Sequence, residues 1–154
     1  MRLVFIVFIA LVGFASEAAA CECVASGVPF AIQPASRDVY AIGRVREIRP
    51  ADPAGWYAKA VVIEITDGLR NATTGETVVF YTPAQDSACA YHFTSGLLYV
   101  IESTSSETVN PAIWASVPKG SRFVTRCGMT RQLNTLEGDK VAEEIRRAIE
   151  RLPR

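Results

Sequence analysis

At 154 residues the chain is long enough to bury one core and too short for several domains. Its 16 Lys and Arg offset 16 Asp and Glu, for a formal net charge of +0. That balance argues against a nucleic-acid partner, and no block of like charges marks a solvated tail.

The chain opens on Met1-Arg2, an apolar run from Leu3 to Phe14, and small residues with Ala18 and Ala20 in the A-x-A positions before Cys21. This is the three-part layout of a secretory signal. The apolar run falls short of the roughly 20 residues that span a bilayer. Residues 1–20 are therefore expected to be a signal peptide. Residues 21–154 are then a single exported domain, secreted or periplasmic, with Cys21 as the first mature residue. A lipoprotein cut also begins at cysteine but carries Leu three positions earlier, where this chain has Ala18. Attachment to a membrane is expected only if Cys21 is lipidated.

After that cut Cys21, Cys23, Cys89 and Cys127 remain, an even number in an exported chain. A Cys21–Cys23 bridge would close a tiny strained ring, which disulfide geometry disfavours. The two other pairings both staple the amino terminus to distant chain, closing loops of roughly 70 to 105 residues worth about 4 to 5 kcal/mol each. A redox-active C-x-C dithiol is the rival. The absence of C-x-x-C and of a thioredoxin-like strand-helix pattern, with two distant cysteines to pair, favours staples.

Ser26 to Arg37 holds Pro29 and Pro34 and reads as irregular. Asp38 to Arg49 alternates, with Val39, Ala41, Gly43, Val45 and Glu47 opposed to Tyr40, Ile42, Arg44, Arg46 and Ile48. This predicts a long strand, with Gly43 suited to a bulge. Pro50 to Gly55 is a turn and Trp56 to Thr66 a second strand, after which Asp67-Gly68 and Asn71 to Gly75 punctuate the chain. Glu76 to Thr82 is a third strand closed by Pro83, Leu97 to Glu102 a fourth, and Ser103 to Thr108 a polar loop. Trp114 to Val117 extends the sheet, and Ser121 to Cys127 is a fifth strand. Val141, Ile145, Ala148, Ile149 and Leu152 then fall at helical spacing, with Asp139 as N-cap. The fold class expected is mainly β, a small closed or partly open barrel with an amphipathic helix docked on it.

An ordered set of motifs now stands out: C-x-C at the mature start, Asp38-Val39-Tyr40-Ala41-Ile42-Gly43-Arg44-Val45, Ser87-Ala88-Cys89, Leu97-Leu98-Tyr99-Val100-Ile101, and Arg126-Cys127-Gly128. The set resembles the inhibitory N-terminal domain of the tissue inhibitors of metalloproteinases, within the netrin-like superfamily. The resemblance covers nearly the whole mature chain. It implies a five-stranded OB-fold Greek-key β-barrel, the pairings Cys21–Cys89 and Cys23–Cys127, and zinc metalloproteases as partners. The animal inhibitors' third N-domain disulfide and C-terminal domain have no counterpart here, as in a compact bacterial relative.

The chemistry implied is simple. A catalytic zinc keeps one coordination position open for water. A neutral α-amine and the carbonyl oxygen of Cys21 close a five-membered chelate on that metal. An α-amine titrates at about 7.7 to 8.0, so its deprotonation near neutrality costs little. Bridges from Cys21 and Cys23 remove the terminus's freedom before binding. Glu22, Cys23, Val24 and Ala25 are then the contacts with the target, with the Ser87-Ala88-Cys89-Ala90 loop beside them. In the family the pocket-directed residue after the first cysteine is Thr or Ser. Glu22 departs from that pattern, since a desolvated carboxylate needs a cation to meet it. It favours the rival reading, a netrin-like binding module of the envelope with no protease target.

Nothing points to an enzyme. His92 is the single histidine and fits a structural or surface role, and no G-x-S-x-G, H-E-x-x-H or P-loop pattern occurs. No cofactor and no metal of its own are expected, and the protein is expected to be a monomer. Asp52, Asp67, Glu64 and Glu76 read as solvated carboxylates. Trp56, Tyr57 and Tyr91 are aromatic enough to stack bases, but no basic groove accompanies them.

Overall fold

The computed structural model describes residues 32, 37–51, 58–84, 90–105, 117–118 and 120–153. The expected signal peptide and the C-x-C start lie outside the described residues. Six strands run in chain order as β1 (Val39–Pro50), β2 (Ala58–Arg70), β3 (Thr77–Pro83), β4 (Leu98–Ser105), β5 (Arg122–Phe123) and β6 (Arg131–Gln132), followed by helix α1 (Leu136–Glu150). The molecule is mainly β, as its alternating sequence predicts.

β1 is central. It pairs antiparallel with β2 along one edge and with β4 along the other. β2 pairs antiparallel with β3, β3 runs parallel to β5, and β5 returns antiparallel to β4. Five strands thus close a ring. The edge of β4 away from β1 is shared, with β5 at Thr104 and Ser105 and β6 at Tyr99 and Val100.

Strand alternation sorts β1 and β4 onto two cores, because successive side chains point to opposite faces. Val39, Ala41, Val45, Val61, Ile63, Ile65, Phe80, Tyr99, Ile101 and Val124 fill the ring interior. Tyr40, Ile42 and Val100 face outward and are covered by Val141, Ala142 and Ile145 of α1. The helix therefore docks on its own sheet, and the stripe that predicted it is the face it buries. Its cap differs from expectation. Thr135, not Asp139, is the N-cap, its hydroxyl accepting from the Gly138 N–H at 3.0 Å. Asp139 lies inside the first turn and accepts from the Asn134 N–H at 3.1 Å, so a second backbone donor at this helix end is met.

Register shifts explain where the alternation drifts. Between Val45 and Glu47 the β1–β2 register slips, leaving Arg46 as the extra residue. One inserted residue flips every side chain beyond it to the other face. Ile48, expected on the face of Tyr40, instead packs against the ring interior. The register also shifts at Ile42/Gly43 as Gly43 suggested, but the extra residue, Thr66, sits on β2 and donates to the Ile42 carbonyl at 3.2 Å. Gly43 is needed for closeness, since a Cβ there would meet Ile63 Cγ2 and stand 2.9 Å from the Glu64 carbonyl oxygen.

Three other expectations are corrected. Asp67-Gly68 continue β2 opposite Ile42 and Ala41 rather than ending it. Ser103 and Thr104 extend β4, paired with Val39 and Phe123, rather than opening a loop. Of Ser121 to Cys127 only Arg122 and Phe123 are strand. Val124 then donates to the Tyr81 carbonyl, Thr125 crosses to an isolated bridge, and the chain turns. From Trp114 to Val117 only Val117 is described; it is not in a strand and packs with Ala58 and Phe123.

Candidate functional site

The sequence placed the chemistry at Cys21, Glu22, Cys23, Val24 and Ala25, with Cys89 and Cys127 as anchors. All but Cys127 lie outside the described residues. Cys127 is exposed in the turn after β5 and carries no free thiol. Ala90, the residue after Cys89, forms an isolated antiparallel bridge with Thr125, two residues before Cys127. Within that turn the Gly128 N–H donates to the Thr125 carbonyl at 3.2 Å.

The inner side of the turn is seated on β4. Glu102 Oε2 accepts from the Met129 N–H at 2.5 Å, and Glu102 Oε1 accepts from the Tyr40 hydroxyl at 3.1 Å. Thr130, fully buried, exchanges two hydrogen bonds with the Glu102 backbone. Its hydroxyl accepts from the N–H at 3.0 Å and donates to the carbonyl at 3.2 Å. Arg131 closes the turn from outside, donating to the Gly128 carbonyl at 2.9 Å while pairing with Glu137 at 2.6 Å. Burial, with the Glu102 carboxylate beside it, pushes the Tyr40 phenol well above its ordinary value. Sequence reasoning marks Glu102 only as the last residue of a strand. The signal that could have found it is a carboxylate ending the apolar run Leu97 to Ile101, with a glycine after Cys127.

A cleft of about 220 Å³ opens nearby. Ala90 lines it, so it adjoins the Ala90–Thr125 bridge. Ile48 and Val61 form its floor, Tyr91 and Phe93 one wall, and Lys59 and His92 bring the cationic or basic groups. The wall is stiffened by an aromatic cluster, with Tyr91–Phe93 and Phe93–Tyr99 centroids 4.8 and 4.9 Å apart. Burial pushes the Tyr91 phenol up to about 12. Thr82 holds the wall to β3, its hydroxyl accepting from the Tyr91 N–H at 2.9 Å.

The described carboxylate candidates make structural contacts. His92 is exposed. Asp67 pairs with Arg146 of α1 at 2.9 Å, Glu64 pairs with Arg46, and Glu76 accepts from the Thr73 N–H at 3.3 Å. Asp52, Trp56 and Tyr57 lie outside the described residues. Among the described residues no cluster of three His, Cys, Asp or Glu is placed to hold a metal ion, and no helix is long and apolar enough to cross a membrane. In comparison with known proteins, the chain matches no family model and no curated sequence.

Proposed function

We propose that the chain is an exported inhibitor of zinc metalloendopeptidases, related to the tissue inhibitors of metalloproteinases, in which the mature amino terminus chelates the target's zinc through the Cys21 amine and carbonyl. The observation that carries this is the Ala90–Thr125 bridge. A C-x-C segment spans at most about 7 Å between its two Cα atoms, at 3.3 to 3.6 Å per residue. If each cysteine is tethered to a different distant partner, those partners must be near neighbours. The bridge brings the neighbour of Cys89 and the turn bearing Cys127 to one place, which suits either long-range pairing, including the Cys21–Cys89 and Cys23–Cys127 that the resemblance implies. That Cys127 carries no free thiol agrees with them. A terminus stapled twice pays its ordering entropy during folding rather than on binding.

The ring supports reading the fold as an OB-fold barrel. Five strands close on themselves, and β5 is inserted between β3 and β4, the out-of-sequence order of a Greek key.

The test compares the native mature protein with one carrying a single extra N-terminal alanine, against a panel of zinc metalloendopeptidases. The extension blocks the chelate and leaves the barrel intact, so inhibition disappears while the circular dichroism spectrum is unchanged. Equal inhibition by both forms refutes the mechanism. The second reading, an envelope binding module without a protease target, is favoured by Glu22 and by the cleft beside Ala90. It requires that neither form inhibits.

A further inference from the structure

We infer that Glu102 is the positioning residue of the Cys127 turn: its carboxylate seats Met129 and Gly128 on β4 and so fixes where the anchoring sulfur emerges. This rests on the reading that Cys127 tethers the amino terminus.

Contacts from two directions converge on this carboxylate. Glu102 lies in β4, antiparallel to β1, where the Tyr40 hydroxyl from the neighbouring strand donates to Oε1. The carboxylate is thereby aimed, and its other oxygen meets the Met129 N–H at 2.5 Å. A backbone N–H donating to an ionised acceptor makes a short, strong hydrogen bond. Gly128 completes the fit. A Cβ at that position would stand 3.0 Å from Glu102 Oε2, closer than a carbon and a carboxylate oxygen comfortably approach. Thr130 fixes the register on the far side through two further bonds to the same residue's backbone. Residues 128, 129 and 130 therefore each meet Glu102, by close approach at the glycine and by hydrogen bonds at the other two. Cys127 precedes them, exposed at the tip. A pair of bridges one residue apart at the terminus tolerates little wander in either anchor, because the protruding amine and carbonyl must meet a metal within bonding distance.

The experiment uses the full mature protein and no protease. Glu102→Leu keeps the bulk and removes the acceptor. Glu102→Gln keeps an acceptor for Met129 and an amide that the Tyr40 hydroxyl can accept from. Two quantities are read: the rate at which a water-soluble phosphine reduces the Cys127 bridge, located by thiol labelling and peptide mapping, and hydrogen exchange at the Met129 amide. With Glu102→Leu both should quicken by about tenfold or more, the loss expected for a hydrogen bond to a charged group, while reduction at Cys89 stays at its native rate. Glu102→Gln should lie near the native values. Unchanged rates in Glu102→Leu mean that Glu102 only fills space, and acceleration at both bridges together means a global loss of stability; either overturns the assignment. A map pairing Cys127 with Cys89, which leaves the amino terminus untethered, overturns the inhibitor reading instead. Met129 exchange still judges the clamp in that case, and unchanged exchange in Glu102→Leu refutes it.

Discussion

The Tyr40 hydroxyl and the Glu102 carboxylate meet at 3.1 Å although 62 residues separate them in the chain. The contact ties β1 to β4 at the point where both strands are buried on two faces. It also places an ionisable pair between the ring interior and the helix. Such a phenol resists ionisation, because its anion would lose solvation and face a carboxylate.

The alkaline limb of stability is set by the phenols. Tyr91 ionises at about 12 in the folded protein, with burial the leading cause, and Tyr40 is shifted upward as well. The neutral phenol is favoured by the fold, so this stabilisation is complete below the unfolded value of about 10. It is lost as pH rises from there through about 12. Absorbance at 295 nm should show Tyr40 and Tyr91 ionising late and together with unfolding. Ionisation of all five near pH 10 in the folded protein contradicts the burial.

Ile145 is fully buried between α1 and the outer faces of β1 and β4. Ile145→Ala should cost about 2 to 5 kcal/mol, the transfer loss plus a cavity. The urea midpoint should fall with its slope unchanged. A cost below about 1 kcal/mol would mean the helix does not rest on this sheet.

Capping can be tested by rank. Thr135→Ala removes the acceptor for the Gly138 N–H and should cost about 0.5 to 2 kcal/mol. Gly138→Ala should also destabilise, against the helical propensity gain, because its Cβ would run into the Gln132 carbonyl oxygen. A stabilised Gly138→Ala variant in thermal melts removes that account.

Ser103 is 1% exposed, and its hydroxyl has no hydrogen-bond partner among the described residues. A buried polar group without a partner costs free energy, so Ser103→Ala should leave the melting temperature unchanged or raise it. A drop of several degrees would show a partner for the hydroxyl.

For the proposed inhibitor, Glu22→Thr should tighten binding to proteases with apolar pockets by about tenfold or more, since no carboxylate then has to be desolvated. Inhibition constants that stay equal or worsen defeat this account of Glu22.

The apolar periods alone determined the mainly β class, the first four strands to within a few residues, and the helix with the face it buries. Those arise from local spacing: period two in Val39 to Val45, helical spacing in Val141 to Leu152. The single-residue slip at Arg46 was invisible, because no glycine or turn residue marks it and register exists only between two paired strands; it turned Ile48 inward. Ser103 and Thr104 read as loop because they are polar, yet pairing with Val39 and Phe123 carries them into the sheet. Only the closed ring brings Ala90 to Thr125 and Glu102 to Met129 and Gly128, contacts between segments too distant in sequence for any local pattern to register.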